Sequence, residues 1–125
     1  MKLLTKEILN KLVKAPLYSQ DGKLNPEIIV KFFCPWNQWT WYAIEGSPTC
    51  PECGAFDCNE GHVDKTEFTF FGLVVGQETE LGYFNLRELE SVRGPGGLKI
   101  ERDMYFGGKF LNKTTNEIVS AGGVL

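Results

Sequence analysis

Apolar residues first recur at helical spacing. Leu4, Ile8 and Leu12, with Leu9 and Val13 beside them, mark one face of an amphipathic helix over residues 6–14. Thr5 stands where an N-cap is needed and Glu7 falls in the first turn, where a negative charge is favourable. Pro16 stops the run, because the residue before a proline is pushed out of the helical region. Residues 17–26 read as a connection, with turns at Ser19-Gln20-Asp21-Gly22 and Asn25-Pro26.

The pattern then changes to strands. Ile28-Ile29-Val30-Lys31-Phe32-Phe33-Cys34 and Trp39-Thr40-Trp41-Tyr42-Ala43-Ile44 are β-branched and aromatic runs joined by Pro35-Trp36-Asn37-Gln38, which predicts a hairpin. Phe68-Thr69-Phe70-Phe71-Gly72-Leu73-Val74-Val75 and Leu81-Gly82-Tyr83-Phe84 predict a second. Asn85-Leu86-Arg87-Glu88 has the form of a capping box, opening a short helix with Leu86, Leu89 and Val92 on its apolar side and Gly94 at its end. Gly94-Pro95-Gly96-Gly97 follows that helix instead of opening one, so it is a turn and not a phosphate cradle. Leu98, Ile100, Arg102, Met104 and Phe106 alternate with polar neighbours and predict a last strand with one buried face. Beyond Gly107-Gly108 the pattern fades, and residues 112–125 read as frayed or edge structure. The sum is an α+β fold: a meandering antiparallel sheet, one helix before it and a short one within it, in a single domain over 1–125.

Between the two hairpins lies a polar insertion, residues 49–63, that carries Cys50, Cys53, Cys58 and His62 in a Cys-x2-Cys-x4-Cys-x3-His spacing. Two thiolates from the tight Cys50-Pro51-Glu52-Cys53-Gly54 knuckle reach one ion, and Cys58 and His62 follow closely enough to complete a tetrahedron. The expected cofactor is one Zn²⁺ ion. Four protein ligands leave it no open position, so its role is structural. Cys34 is a rival ligand, but it lies at the hairpin turn, roughly 25 Å from the root of the insertion at about 3.3 Å per residue. It reads instead as a small buried hydrophobe.

Composition narrows the setting. Hydrophobic residues at 42% and charged residues at 23% exclude a disordered chain. The amino terminus is too densely charged for a signal peptide or a spanning segment, so a cytoplasmic protein is expected, in a compartment where clustered cysteines bind metal. Charge is uneven. Residues 1–43 carry six lysines against three acids, residues 44–85 carry eight acids against Lys65 alone, and residues 86–125 are near balance. An acidic middle third repels phosphate backbones and attracts a basic protein partner, which disfavours nucleic-acid binding. Trp39 and Trp41, on one face and without an Arg/Lys track, read as core.

Catalytic chemistry has little to work with. His62 is the single histidine and zinc is expected to hold it, so no triad is assembled and no catalytic residue is assigned. Glu45 and Glu67 flank the insertion, and Arg102 sits on the apolar side of its predicted strand. A guanidinium there is either an internal tie or the reader of an anion. These three residues are the candidates for binding.

Val30-Lys31-Phe32-Phe33, Trp39-Thr40-Trp41-Tyr42-Ala43, Phe70-Phe71-Gly72-Leu73-Val74, Glu80-Leu81-Gly82-Tyr83-Phe84, Glu88-Leu89-Glu90-Ser91-Val92-Arg93-Gly94 and Ile100-Glu101-Arg102-Asp103 follow one another in an order that resembles the bacterial family called domain of unknown function 2958, over residues 1–106. The resemblance implies a small single-domain protein of the kind carried on plasmids and integrative elements, with no activity assigned and no catalytic residues to carry over. The Cys-rich insertion lies outside the family pattern. The functional expectation is therefore a non-catalytic accessory or interaction protein of a mobile element, presenting an acidic face to a basic host or defence protein. The alternative is a carboxylate-dependent enzyme acting on a nucleotide or another small anion.

Overall fold

The computed structural model describes residues 2–50 and 67–120. Helix α1 (Lys6–Val13) opens as its sequence dictates, with Thr5 in an extended conformation and its Oγ1 accepting a hydrogen bond from the Ile8 amide. Strands β1 (Val30–Phe33), β2 (Thr40–Thr49), β3 (Glu67–Val75) and β4 (Thr79–Asn85) follow, then helix α2 (Leu86–Ser91), a single 3-10 turn at Pro95–Gly97, strand β5 (Glu101–Arg102), and strands β6 (Lys109–Asn112) and β7 (Glu117–Ser120). Among the described residues no helix is long and apolar enough to cross a membrane.

Strands β1 to β4 form an antiparallel meander, and β5 returns to pair with β1, giving the order β4-β3-β2-β1-β5. Each face of this sheet has its own core. Leu3, Ile8 and Leu12 of the α1 region and Leu89 of α2 cover Phe32, Ala43, Phe70 and Phe84 on one face. There Phe70 meets Phe32 edge-on and stacks on Phe84, with centroids 5.4 Å and 5.3 Å apart. On the other face Ile28, Ile44, Leu73 and Leu111 form a smaller cluster with Tyr42, Phe71, Phe106 and Ile118 around it.

Two stretches depart from the alternation. The strand expected over residues 98–106 shrinks to β5, and Leu98 and Met104 are exposed although their spacing marked them as buried. The Asp103 side chain accepts from the Tyr105 amide and the Phe106 amide bonds back to the Asp103 carbonyl, so the chain turns away after one ladder step. Residues 109–120 pair as a hairpin, β6 with β7. The side chain of Asn112 accepts from the amides of Thr114 and Thr115, and Asn116 takes the left-handed conformation at φ 58° that closes the loop. Hydrogen bonds from the amides of Ile28, Leu111 and Lys113 to the carbonyls of Lys109, Pro26 and Leu24 fasten this hairpin to the segment before β1, and Leu111 is fully buried.

Strand β2 extends through Ser47 and Pro48 to Thr49. Proline is tolerated there because β1 pairs with β2 only as far as Ala43, which leaves the later part of β2 with a single strand neighbour.

Candidate functional site

The polar residues of the sheet gather where β2 changes register. Ala43 pairs with Gly72 and Glu45 with Phe71, so Ile44 is the extra residue of a β-bulge. Strand β3 tolerates the bulge because residue 72 is glycine: a Cβ there would lie 1.8 Å from the Tyr42 carbonyl oxygen. Past the bulge the connection after α1 runs along the open edge of β2. The Gly46 amide donates to the Ala15 carbonyl at 3.0 Å, and the Leu17 amide to Ser47 Oγ at 3.0 Å.

Glu45, only 1% exposed, holds this connection. Its Oε1 accepts from the Tyr18 amide at 2.9 Å and its Oε2 from the Gln20 amide at 2.6 Å. Tyr18 adopts φ 73°, a conformation that costs a bulky residue energy and persists only where surrounding bonds enforce it. Lys113 Nζ donates to the Gln20 carbonyl at 2.6 Å, so both sides of the Gln20 backbone are engaged. Burial, then the Tyr18 hydroxyl bonded to it and the nearby charges of Asp21 and Glu45, push the Tyr83 hydroxyl above its ordinary pKa.

Glu67 is likewise an acceptor for main-chain amides. Its Oε1 takes hydrogen bonds from Phe68 at 2.9 Å and from Arg87, in the first turn of α2, at 3.2 Å. Asn85 Oδ1 accepts from Glu88, whose side chain returns to the Asn85 amide, so the sequence-predicted capping box is in place. Glu67 adds a third capping bond from another strand. Replacing Glu67 with Ala is expected to cost about 1 kcal/mol, within the range of lost helix caps, with increased amide exchange confined to α2. Hydrogen exchange of the Arg87 amide checks it; unchanged protection there contradicts the assignment.

Arg102 lies at the other side of the sheet. It pairs with Phe32 across β1 and β5 and is half-buried. It borders a groove of about 290 Å³ with Lys31, Glu101, Asp103 and Tyr105. Lys31 Nζ stands 3.7 Å from Asp103 Oδ2 and 5.7 Å from the centroid of the Tyr42 ring. Glu45 and Glu67, on β2 and β3, do not border this groove. The three residues singled out in the sequence are therefore dispersed. What sequence reasoning missed is the tie of the Leu17 amide to Ser47 and of the Tyr18 and Gln20 amides to Glu45, partners 25 to 30 residues apart. Its one local signal is a glutamate amid a run of strand-forming residues.

Of the expected zinc ligands, Cys53, Cys58 and His62 lie outside the described residues. Cys50 is fully buried where β2 leads into the insertion, a position that fits the first ligand of the set. Among the described residues no three His, Cys, Asp or Glu side chains gather as a metal site. Cys34 lies beyond β1, bonded through its amide to the Trp39 carbonyl, at the opposite end of the ten-residue β2 from Cys50. Burial pushes its thiol above the ordinary pKa, as expected of a packing residue.

Fold and site together define an α+β protein in which, among the described residues, the buried Glu45 and Ser47 side chains accept from main-chain amides. The sequence pattern of the family described as a protein of unknown function, DUF2958, matches residues 3–123, and the chain belongs to that family. The match runs past the predicted Phe106 limit and takes in the β6–β7 hairpin. No curated protein and no solved structure matches the chain.

Proposed function

We propose that this chain is a non-catalytic interaction protein of a bacterial mobile element, with a structural zinc held by Cys50, Cys53, Cys58 and His62, and that its acidic middle third docks a basic protein of the host or of its defences. The observation that carries the non-catalytic reading is the use made of Glu45 and Glu67. Both act as acceptors for main-chain amides and neither borders the Arg102 groove. A general base needs a free lone pair facing a substrate, and these carboxylates face their own chain. The competing reading, an enzyme acting on a small anion, draws its support from Arg102 beside Glu101 and Asp103, of which Asp103 is paired with Lys31.

Support for the acidic docking surface comes from Glu78 and Glu80, both exposed, and from the sequence positions Glu52, Asp57, Glu60 and Asp64 in the insertion. Affinity capture from a bacterial lysate at low and moderate salt tests it. The expected result is a reproducible basic partner, weakened by salt and lost when Glu78 and Glu80 are both changed to Lys together with Glu52 and Asp57. Absence of any partner at both salt concentrations, or a partner indifferent to these changes, counts against it. The metal is tested separately. One zinc per chain is expected in purified protein, with Cys50→Ser reducing the content below one half; zinc-free wild-type protein with an unchanged melting temperature contradicts the structural role.

A further inference from the structure

A concavity of about 420 Å³ lies where the end of α1, the connection to β1 and strand β6 meet. Lys11, Lys14 and Lys23 border it, with Glu27 as the one carboxylate on its wall. None of the three ammonium groups has an ion pair or hydrogen bond with another described residue. Lys11 and Lys14 suit the C-terminal end of α1, but Lys23 belongs to no helix and faces the same hollow. Ile29, Ile44 and Phe110 supply its apolar lining, with Ile44 fully buried beneath the surface. Gln20 and Asn25 also line it, the Gln20 side-chain amide donating to Ser19 Oγ at 3.0 Å. Asn25 is half-buried, and its side chain bonds to no described residue.

We propose that this groove binds a nucleoside monophosphate. Three ammonium groups against one carboxylate leave a net positive charge that offsets a phosphate monoester, about −1.5 to −2 at neutral pH. The volume falls within the range of small-molecule sites, about 300–1,000 Å³. The Phe110 ring and the Ile29 side chain accept a base face, and the side-chain amide of Asn25 offers the paired donor and acceptor that read a base edge. A free nucleotide is favoured over a nucleic-acid strand because the acidic middle third, with exposed Glu78 and Glu80, opposes an extended phosphate backbone. This site does not depend on the acidic docking surface or on the zinc.

The test is a titration of the full-length protein with AMP, GMP, CMP and UMP, followed by amide chemical shifts and calorimetry. Inorganic phosphate, adenosine and a short 5′-phosphorylated oligonucleotide serve as comparison probes. At least one mononucleotide is expected to bind, moving the amides of Gln20, Lys23 and Asn25. Its affinity should exceed that of phosphate or adenosine tenfold or more, and fall tenfold or more in K11Q/K14Q/K23Q. Asn25→Ala is expected to narrow the preference among the four bases. Absence of binding at millimolar nucleotide, equal affinity for phosphate alone, tighter binding of the oligonucleotide, or full binding by the triple variant would each overturn the proposal. All three lysines are exposed, so the triple variant is expected to fold, which its amide spectrum verifies.

Discussion

Glu45→Ala is expected to lower the unfolding free energy by about 3 kcal/mol, because it strands two main-chain donors that fold against β2. An unsatisfied buried donor costs about 1–3 kcal/mol, and the hydrogen bonds lost here go to a carboxyl group 1% exposed. Glu45→Gln keeps the shape and one acceptor oxygen, so about half that loss is expected. The two variants should also differ in protease sensitivity at residues 15–20, with Ala cleaved faster. Denaturant midpoints for the pair check the expectation; an Ala variant within 0.5 kcal/mol of wild type, in the range of neutral surface changes at about ±0.5 kcal/mol, would mean that the bonds to Tyr18 and Gln20 contribute nothing.

Gly72→Ala is expected to be at least as damaging, about 3 kcal/mol or more, for a different reason. The added methyl would sit 1.8 Å from the Tyr42 carbonyl oxygen and 2.9 Å from the Ala43 Cα, both backbone atoms that no rotamer change relieves. Strands β2 and β3 must separate at the bulge or the bulge must move, and either outcome removes Glu45 from its place opposite Phe71. Gly82, next to Gly72 in the ladder, is the matching control: a Cβ there meets nothing within 4 Å, so Gly82→Ala is expected to be near neutral. Equal stability of the two alanine variants would contradict the close approach.

The contrast between these glycines shows where the sequence is informative. Local signals were legible: the Thr5 cap, the Asn85 capping box and the β1–β2 hairpin are written in neighbouring residues, and each is realised. Alternation misled at residues 98–106, since Leu98 and Met104 repeat with the period of a buried face while an Asp103 turn takes the chain out of the sheet. Trp39 and Trp41 share a face as predicted, their rings 5.9 Å apart, but only Trp41 packs against the core, while Trp39, 39% exposed, rests against Gly76. The hairpin at residues 109–120 was faint because its stability comes from distant backbone partners at Leu24, Pro26 and Ile28.

The site was harder to read for the same reason. A glutamate between Ile44 and Gly46 looks like an ordinary solvated strand position in a one-dimensional pattern. Only the register shift at Ile44, which depends on Gly72 nearly thirty residues later, turns it toward a loop that arrives from before β1. The family match covers residues 3–123 and so takes in the positions of Glu45, Gly72 and the hairpin. The lysine groove was likewise absent from the linear pattern, since its walls come from α1, the connection before β1, β2 and β6.

The claim that Glu45 is a fastening and not a reactive group is tested most directly by amide hydrogen exchange in the unmodified protein. Tyr18 and Gln20 sit in a connection with no regular secondary structure, where exposed amides exchange at nearly the free-peptide rate. Protection of both by 10²-fold or more, on the order of that seen in the edges of a sheet, is the predicted result. Exchange at the free-peptide rate would show that the carboxyl group does not hold them, and Glu45 would return to the candidates for chemistry.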